Sequence, residues 1–371
     1  MIAVETLFAA SVQFETPLAV VKDQVRQRNL ERMQRLALKN GLRLRPHAKT
    51  HKSVKVARRQ IECGAIGLTV ATLQEAEIFA DRAGVQDLLL AHPPVGEPKL
   101  RRLRELSTKI ARLAVAVDSV EVAVTLPNMV EVLWEVDTGL HRIGTAPGEP
   151  TVRAIRDLVR AIGPARFRGL MTHGGHAYRA ANDAQLLQAS HEEVDGLTHT
   201  ADLLRNLGID VRELSIGSTP TTRHLDRSSG ATEMRPGTYV YGDANQVQFG
   251  SQALEDCALA VVATVVSTPE PTRAVIDAGS KALSTDLRVP GVTGFGIVLG
   301  APQLRVDRLS EEHGVLTSDE PTGLHIGDRV AIVPTHACTT INLHRELLVI
   351  DETGHASWEP VDVKGWRRAD G

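Results

Sequence analysis

From about Leu42 to Gly242 the chain repeats one unit, a short apolar run followed by a longer stretch with helical spacing. The runs are LRLRPHAK, AIGLTV, DLLLA, RLAVAV, VEVLWEV, FRGLMTH, VRELSIG and TYVYG. Eight such runs with helices between them, such as 22–39 before the first and 193–207 before the seventh, are what a closed parallel (β/α)8 barrel leaves in a sequence. The first helix has a stop at Asn40-Gly41. An open doubly wound sheet predicts a similar alternation, but no GxGxxG follows the first run, and the count of eight favours the barrel.

After about Gly250 the pattern changes. LAVVATVVST, RAVIDA, QLRVDRLS, RVAIVPTHA and RELLVID are short β-like runs separated by Pro, Gly and Asp, and helical periodicity nearly disappears. The expectation is therefore an α/β chain in two parts, a barrel over 20–250 and a mostly antiparallel β-domain over 251–371. Residues 1–19 are expected to join the β-domain, because VETLFAASVQF has strand character.

Composition narrows the function classes. Across 371 residues, 42 Lys and Arg stand against 45 Asp and Glu with no block of one sign, which argues against a nucleic-acid or anionic-membrane partner. The longest apolar runs, such as CALAVVATVV, fall short of the roughly 20 residues a spanning helix requires. No export signal is visible, and three scattered cysteines do not make a disulfide framework, so a cytoplasmic location is expected. Cys63 and Cys257 read as small buried hydrophobes.

In a parallel barrel the site lies at the carboxyl ends of the strands, so the polar residues closing each run are the candidates. The first run ends RPHAKTHK, which aims Lys49 at the barrel mouth. A solvated surface lysine is the ordinary alternative, but flanking Arg45, His47, His51 and Lys52 would lower the Lys49 pKa by like-charge repulsion and suit it to Schiff-base chemistry. The fifth run continues EVDTGLHRIG, a buried acidic pair followed by a glycine turn and Arg142, which is either half of a structural ion pair or a donor aimed at an anionic ligand oxygen. SIGSTPT and EMRPGTYVYG would bring the backbone amides of Gly217, Ser218, Thr219, Gly237 and Thr238 together as a phosphate cradle after the last two strands. Each loop alone could be a plain tight turn. The sixth run ends LMTHGGHAY, with His173, His176 and Tyr178 at the mouth.

Together, RPHAKTHK, DTGLHRIG, GSTPT and RPGTYVYG, in this order, resemble the fold-type III pyridoxal-phosphate enzymes of alanine racemase architecture. DAGSKALSTD, LSEEHGVL and THACTTINLH further resemble the D-threonine aldolase and D-serine dehydratase family within that group. The resemblance spans essentially the whole chain. It implies pyridoxal 5'-phosphate as a Schiff base on Lys49, with Lys49 also moving the Cα proton. Arg142 would lie near the cofactor's phenolic oxygen and Arg235 would face its pyridine nitrogen, with His47 and Tyr178 close by. An arginine in that slot keeps the nitrogen unprotonated and weakens the electron sink.

His336 and Cys338 lie two apart on what reads as a strand, hence on one face. By itself the pair is more often a core histidine beside a core cysteine. The resemblance makes these positions ligands of a catalytic divalent metal, and a thiolate favours zinc over manganese or magnesium. Such a metal would assist departure of a substrate β-hydroxyl. Family aldolases typically carry Asp where this chain has Cys338, and a histidine base where it reads Tyr178-Arg179. These departures favour dehydration of a D-3-hydroxy amino acid to a 2-oxo acid and ammonia, with retro-aldol cleavage as the alternative and racemisation or non-catalytic cofactor binding behind it. A homodimer is expected from the family.

Overall fold

The computed structural model describes residues 4–286 and 288–364, so 1–3 and 365–371, the outer ends of the expected β-domain, lie outside the described residues. Two compact units form, one over residues 31–237 and one joining residues up to Leu30 with Thr238–Lys364.

The first unit holds eight parallel strands: Arg43–Leu44, Leu68–Val70, Asp87–Leu90, Arg112–Val117, Glu131–Glu135, Phe167–Met171, Glu213–Ile216 and Glu233–Met234. The first pairs with the eighth, and a parallel bridge between His47 and Thr69 joins it to the second, closing the ring. Thr69 N–H donates to the Pro46 carbonyl at 2.9 Å across that seam. Helices between strands start where Ser53, Thr72 and Asn182 accept from Val56, Glu75 and Gln185 N–H. Leu89, Ala114, Ala116, Leu133 and Met171 fill the interior from alternate strand positions.

Below them the interior is ionic, built from Arg45 just past the first strand and from the opening residues of later strands, Asp87, Arg112, Glu131, Glu213 and Glu233. Arg45 grips Asp87 at 2.6 Å and Glu233 at 3.0 Å, while Arg112 reaches Asp87, Glu131 and Glu213 at 3.3, 2.6 and 2.8 Å. Arg168 shares Glu131 and Glu213. Gly67 admits this layer, because a Cβ there would stand 2.7 Å from the Arg45 guanidinium and 2.4 Å from the Asp87 carbonyl.

The eighth strand is Glu233–Met234, and TYVYG, expected as that strand, is a 3-10 turn over Thr238–Val240. The closing strands need only two residues each, and Pro236 has no N–H to extend the ladder. Tyr239 and Tyr241 are buried without sheet pairing, which is why their aromatic character misleads. The flanking helices are Asp23–Lys39, ending at Gly41 in the left-handed region (φ 69°), and Asp183–Asn206, ten residues earlier at its start than expected.

Among the described residues the second unit has nine strands. Leu259–Glu270 is long enough to pair with Arg329–Pro334 and then with Arg273–Ile276, so six strands close on themselves. The remaining three are Leu18–Lys22, Glu346–Ile350 and Ala356–Pro360, and pairing is antiparallel except between Leu18–Lys22 and Glu346–Ile350. The amino-terminal segment does join this unit, but Val4–Ser11 is a helix and not the expected strand. Val4, Leu7 and Phe8, spaced three and four apart, pack on Leu18, Val20, Leu348 and Ile350. Among the described residues no helix is long and apolar enough to cross a membrane.

Candidate active site

Lys49 lies half-buried in a 3-10 turn over Ala48–Thr50, directly after the first barrel strand. His47 caps the turn, its Nδ1 accepting from Lys49 N–H at 3.4 Å. Of the four flanking groups expected to crowd Lys49 with positive charge, three are engaged elsewhere. Arg45 belongs to the ionic layer, His51 is buried with its Nε2 3.1 Å from Gln60, and Lys52, held at φ 50°, pairs with Glu75 at 3.3 Å. The physical reason is geometric, since alternate positions near a strand end point to different surroundings.

His47 and His173 are the imidazoles in the field of Lys49. Burial first, then Lys49, hold both well below the ordinary histidine value, with Arg142 and Arg235 adding to each, His173 adding to the effect on His47 and His176 to that on His173. Both are therefore neutral near pH 7, able to donate from one ring nitrogen and accept at the other. Arg235 leaves the eighth strand buried, donating to Ser215 Oγ at 2.5 Å and to the Thr172 carbonyl. Burial lowers its pKa, opposed by Glu233, Glu135 and Glu193.

Arg142 is exposed on the loop after the fifth strand, 3.8 Å from Glu135 Oε1. Asp137 shapes that loop, its Oδ1 accepting from Gly139 and His141 N–H at 3.0 and 2.9 Å. Glu135, of the acidic pair, was not among the sequence candidates for a site role. It is buried, its Oε2 has no hydrogen-bond partner among the described residues, and burial pushes its pKa up to about 7 despite Arg235 and Arg142. Tyr178 lies half-buried in the 3-10 turn Gly175–Arg179, and His176 Nε2 stands 3.2 Å from Glu192.

The loop after the seventh strand turns at Gly217 (φ 103°), with Ser218 and Thr219 buried behind it. Gly217 N–H donates to Glu193 Oε1 at 3.3 Å and Ser218 N–H to Thr221 Oγ1 at 3.2 Å, bonds that fix the shape of this loop. Gly237 lies against the Lys49 turn, where a Cβ would be 2.8 Å from Thr50 Oγ1 and 3.1 Å from the His47 carbonyl. Its N–H has no acceptor among the described residues. These features fit a phosphorylated aldehyde cofactor: a half-buried amine, a glycine-lined loop and a free N–H donor.

In the second unit, His336 and Cys338 are not on a strand. The strand ends at Pro334, His336 caps the helix Ala337–Leu343, and Cys338 is that helix's second residue. The helix turn still brings the two side chains into hydrogen-bond contact. His336 Nδ1 lies 2.6 Å from Asp286 Oδ2, and buried Asp243 accepts from Ala337 N–H at 2.9 Å. Burial works against the charged imidazole, but Cys338 and Asp286 outweigh it and hold His336 well above its ordinary value. Thr238 Oγ1 stands 3.8 Å from Cys338 Sγ. Among the described residues no group of three or more His, Cys, Asp or Glu side chains could hold a metal ion. An imidazole beside a thiol nevertheless suits zinc as a donor set.

Comparison with known proteins places the chain in a family. Residues 23–245 match the alanine racemase amino-terminal domain model, and 258–350 match the putative serine dehydratase domain model. D-threo-3-hydroxyaspartate dehydratase of Delftia sp. strain HT23 is 36% identical, covering 88% of this chain and 91% of its own. Its solved structure superposes with a TM-score of 0.86 at 34% identity, over 95% of this chain and 98% of that one. Another structure of D-threo-3-hydroxyaspartate dehydratase, a cysteine-to-alanine mutant, is described as the metal-free form (TM-score 0.86, 33% identity, 95% and 98% covered). D-serine dehydratase of Dictyostelium discoideum is 31% identical over 91% and 93% of the two chains. The crystal structure of D-threonine aldolase from Filomicrobium marinum gives a TM-score of 0.84 at 29% identity, covering 94% and 95%. The chain belongs to the fold-type III pyridoxal-phosphate enzymes, in the branch that holds D-serine dehydratases and D-threonine aldolases.

Proposed function

We propose that this lyase removes water from a D-3-hydroxy amino acid, giving a 2-oxo acid and ammonia. Pyridoxal phosphate on Lys49, with Gly217, Ser218, Thr219, Gly237 and Thr238 toward its phosphate, would supply an electron sink next to the substrate's Cα. The Lys49 amine takes the Cα proton. Neutral His47 and His173 exchange protons close by without adding positive charge. Arg235, fixed by Ser215 and Thr172, would serve the pyridine nitrogen of the bound cofactor and disfavour its protonation. Arg142 would serve the cofactor's phenolic oxygen, and Tyr178 would stand beside the cofactor. A divalent metal on His336 and Cys338, zinc in preference to manganese or magnesium, would supply Lewis-acid help to a departing hydroxyl.

The observation that carries this reading is the contact between His336 and Cys338, with Asp286 occupying the histidine's Nδ1. Retro-aldol cleavage remains the second reading, favoured by the likeness to a D-threonine aldolase and by neutral His173, which can accept a hydroxyl proton. Purified protein incubated with D-serine and D-threonine, with and without EDTA, decides between them. Oxo acid with ammonia, abolished by EDTA, supports dehydration; glycine with acetaldehyde supports cleavage; a rate indifferent to EDTA removes the metal role. A cytoplasmic homodimer belongs to the same proposal, open to cell fractionation and sedimentation analysis.

A further inference from the structure

Glu193 is fully buried on the helix Asp183–Asn206, yet its carboxylate does not serve that helix. Oε1 accepts from Gly174 N–H at 2.6 Å and from Gly217 N–H at 3.3 Å, joining the loop after the sixth strand to the loop after the seventh. The first loop carries His173 and Tyr178, and the second is the glycine turn with Ser218 and Thr219. Thr221, whose hydroxyl accepts from Ser218 N–H, is also hydrogen-bonded to Glu193. Gly174 is shaped to this carboxylate, since a Cβ there would fall 2.2 Å from its Cδ and 2.4 Å from Oε1. A buried carboxyl is costly to keep unless its bonds are worth having. Here they tie the two loops to each other through one side chain.

We propose that Glu193 is a positioning residue for the cofactor's phosphate, locking the seventh-strand loop in a binding shape and registering the sixth-strand loop to it. The inference rests on the phosphate placement in the proposed function. The single carbonyl oxygen of a carboxamide can accept from both N–H groups as Oε1 does, so Glu193→Gln keeps that acceptor, whereas Glu193→Ala leaves two buried donors unmatched. Gly174→Ala disturbs the same contact from the other side by displacing the carboxyl.

The test is pyridoxal-phosphate affinity, titrated by absorbance into full-length protein freed of cofactor, with thermal melts run alongside. The expected result is a dissociation constant raised at least tenfold in Glu193→Ala and in Gly174→Ala, and within threefold of wild type in Glu193→Gln. Wild-type affinity in folded Glu193→Ala overturns the role of Glu193 alone. Failure of the wild-type chain to take up the cofactor overturns the functional reading beneath it as well. If both disruptive variants fail to fold, a tenfold loss in Glu193→Gln with an unchanged melting temperature also refutes the proposal, since that variant retains the acceptor.

Discussion

Glu233 gives the most direct test of the ionic layer that floors the barrel. Its buried carboxylate accepts from Arg45 Nε at 3.0 and 3.2 Å and from Ser215 Oγ at 2.5 Å. Glu233→Gln keeps the volume and an acceptor but removes the charge, leaving Arg45 with Asp87 as its remaining counterion. Breaking a buried pair from one side costs about 3–5 kcal/mol, and the retained Asp87 contact places this variant near 3 kcal/mol. In a unit of roughly 200 residues, each kcal/mol shifts the melting temperature by about 2–4 °C, so a loss of about 6–12 °C is expected by circular dichroism. The pH dependence provides a second reading. Burial alone would raise the Glu233 pKa, but Arg45, Ser215 and Arg235 outweigh it and hold it below the ordinary value. Its contribution is therefore complete above the unfolded-state pKa and fades as pH falls through the folded-state one, so the gap between wild type and variant should narrow in acid. A variant within 1 kcal/mol of wild type at neutral pH refutes the argument that this layer depends on charge pairing.

Glu135 titrates in the opposite sense. With its pKa raised to about 7, the folded chain holds a proton that the unfolded chain releases, so wild-type stability declines as pH climbs toward 7. Cofactor-free Glu135→Gln should escape that decline and exceed wild type on the order of 1–3 kcal/mol at pH 8, measured by urea denaturation. Lys49→Ala should show no borohydride-trapped pyridoxyl peptide, whereas wild type carries the tag on the peptide containing Lys49; a tag elsewhere contradicts the assignment. Asp286→Asn should weaken zinc binding on the order of 10–100-fold in competitive chelator titrations, because the partner at His336 Nδ1 becomes a weaker acceptor; unchanged affinity rejects that role.

Features governed by local periodicity are legible in the sequence. Seven of the eight barrel runs hold strands because an apolar run before a helical pattern is a short-range signal. The eighth is misplaced because a two-residue strand has no periodicity, while TYVYG has strong β-propensity without a partner edge. Val4–Ser11 reads as a strand from its residue types, although Val4, Leu7 and Phe8 carry helical spacing. Glu193 and the ionic layer escape notice for a different reason. A glutamate on a helix or strand looks solvated until its distant neighbours are known, and Arg112 meets Glu213 across 101 positions. Only a signal such as the glycines at 67 and 174, whose side chains are excluded by those charges, could have pointed toward them.

The strand Leu18–Lys22 lies between Leu259–Glu270 and Glu346–Ile350, bonded to both. A ribosome releases it more than 230 residues before either neighbour, so the nascent chain must carry an apolar β-segment with nothing to pair with while the whole barrel emerges. The barrel is thus an insertion within the architecture of its companion, and a fragment starting after residue 30 would expose two raw sheet edges. Such a fragment should accumulate as aggregates, and supplying the missing segment as a separate peptide should restore its solubility.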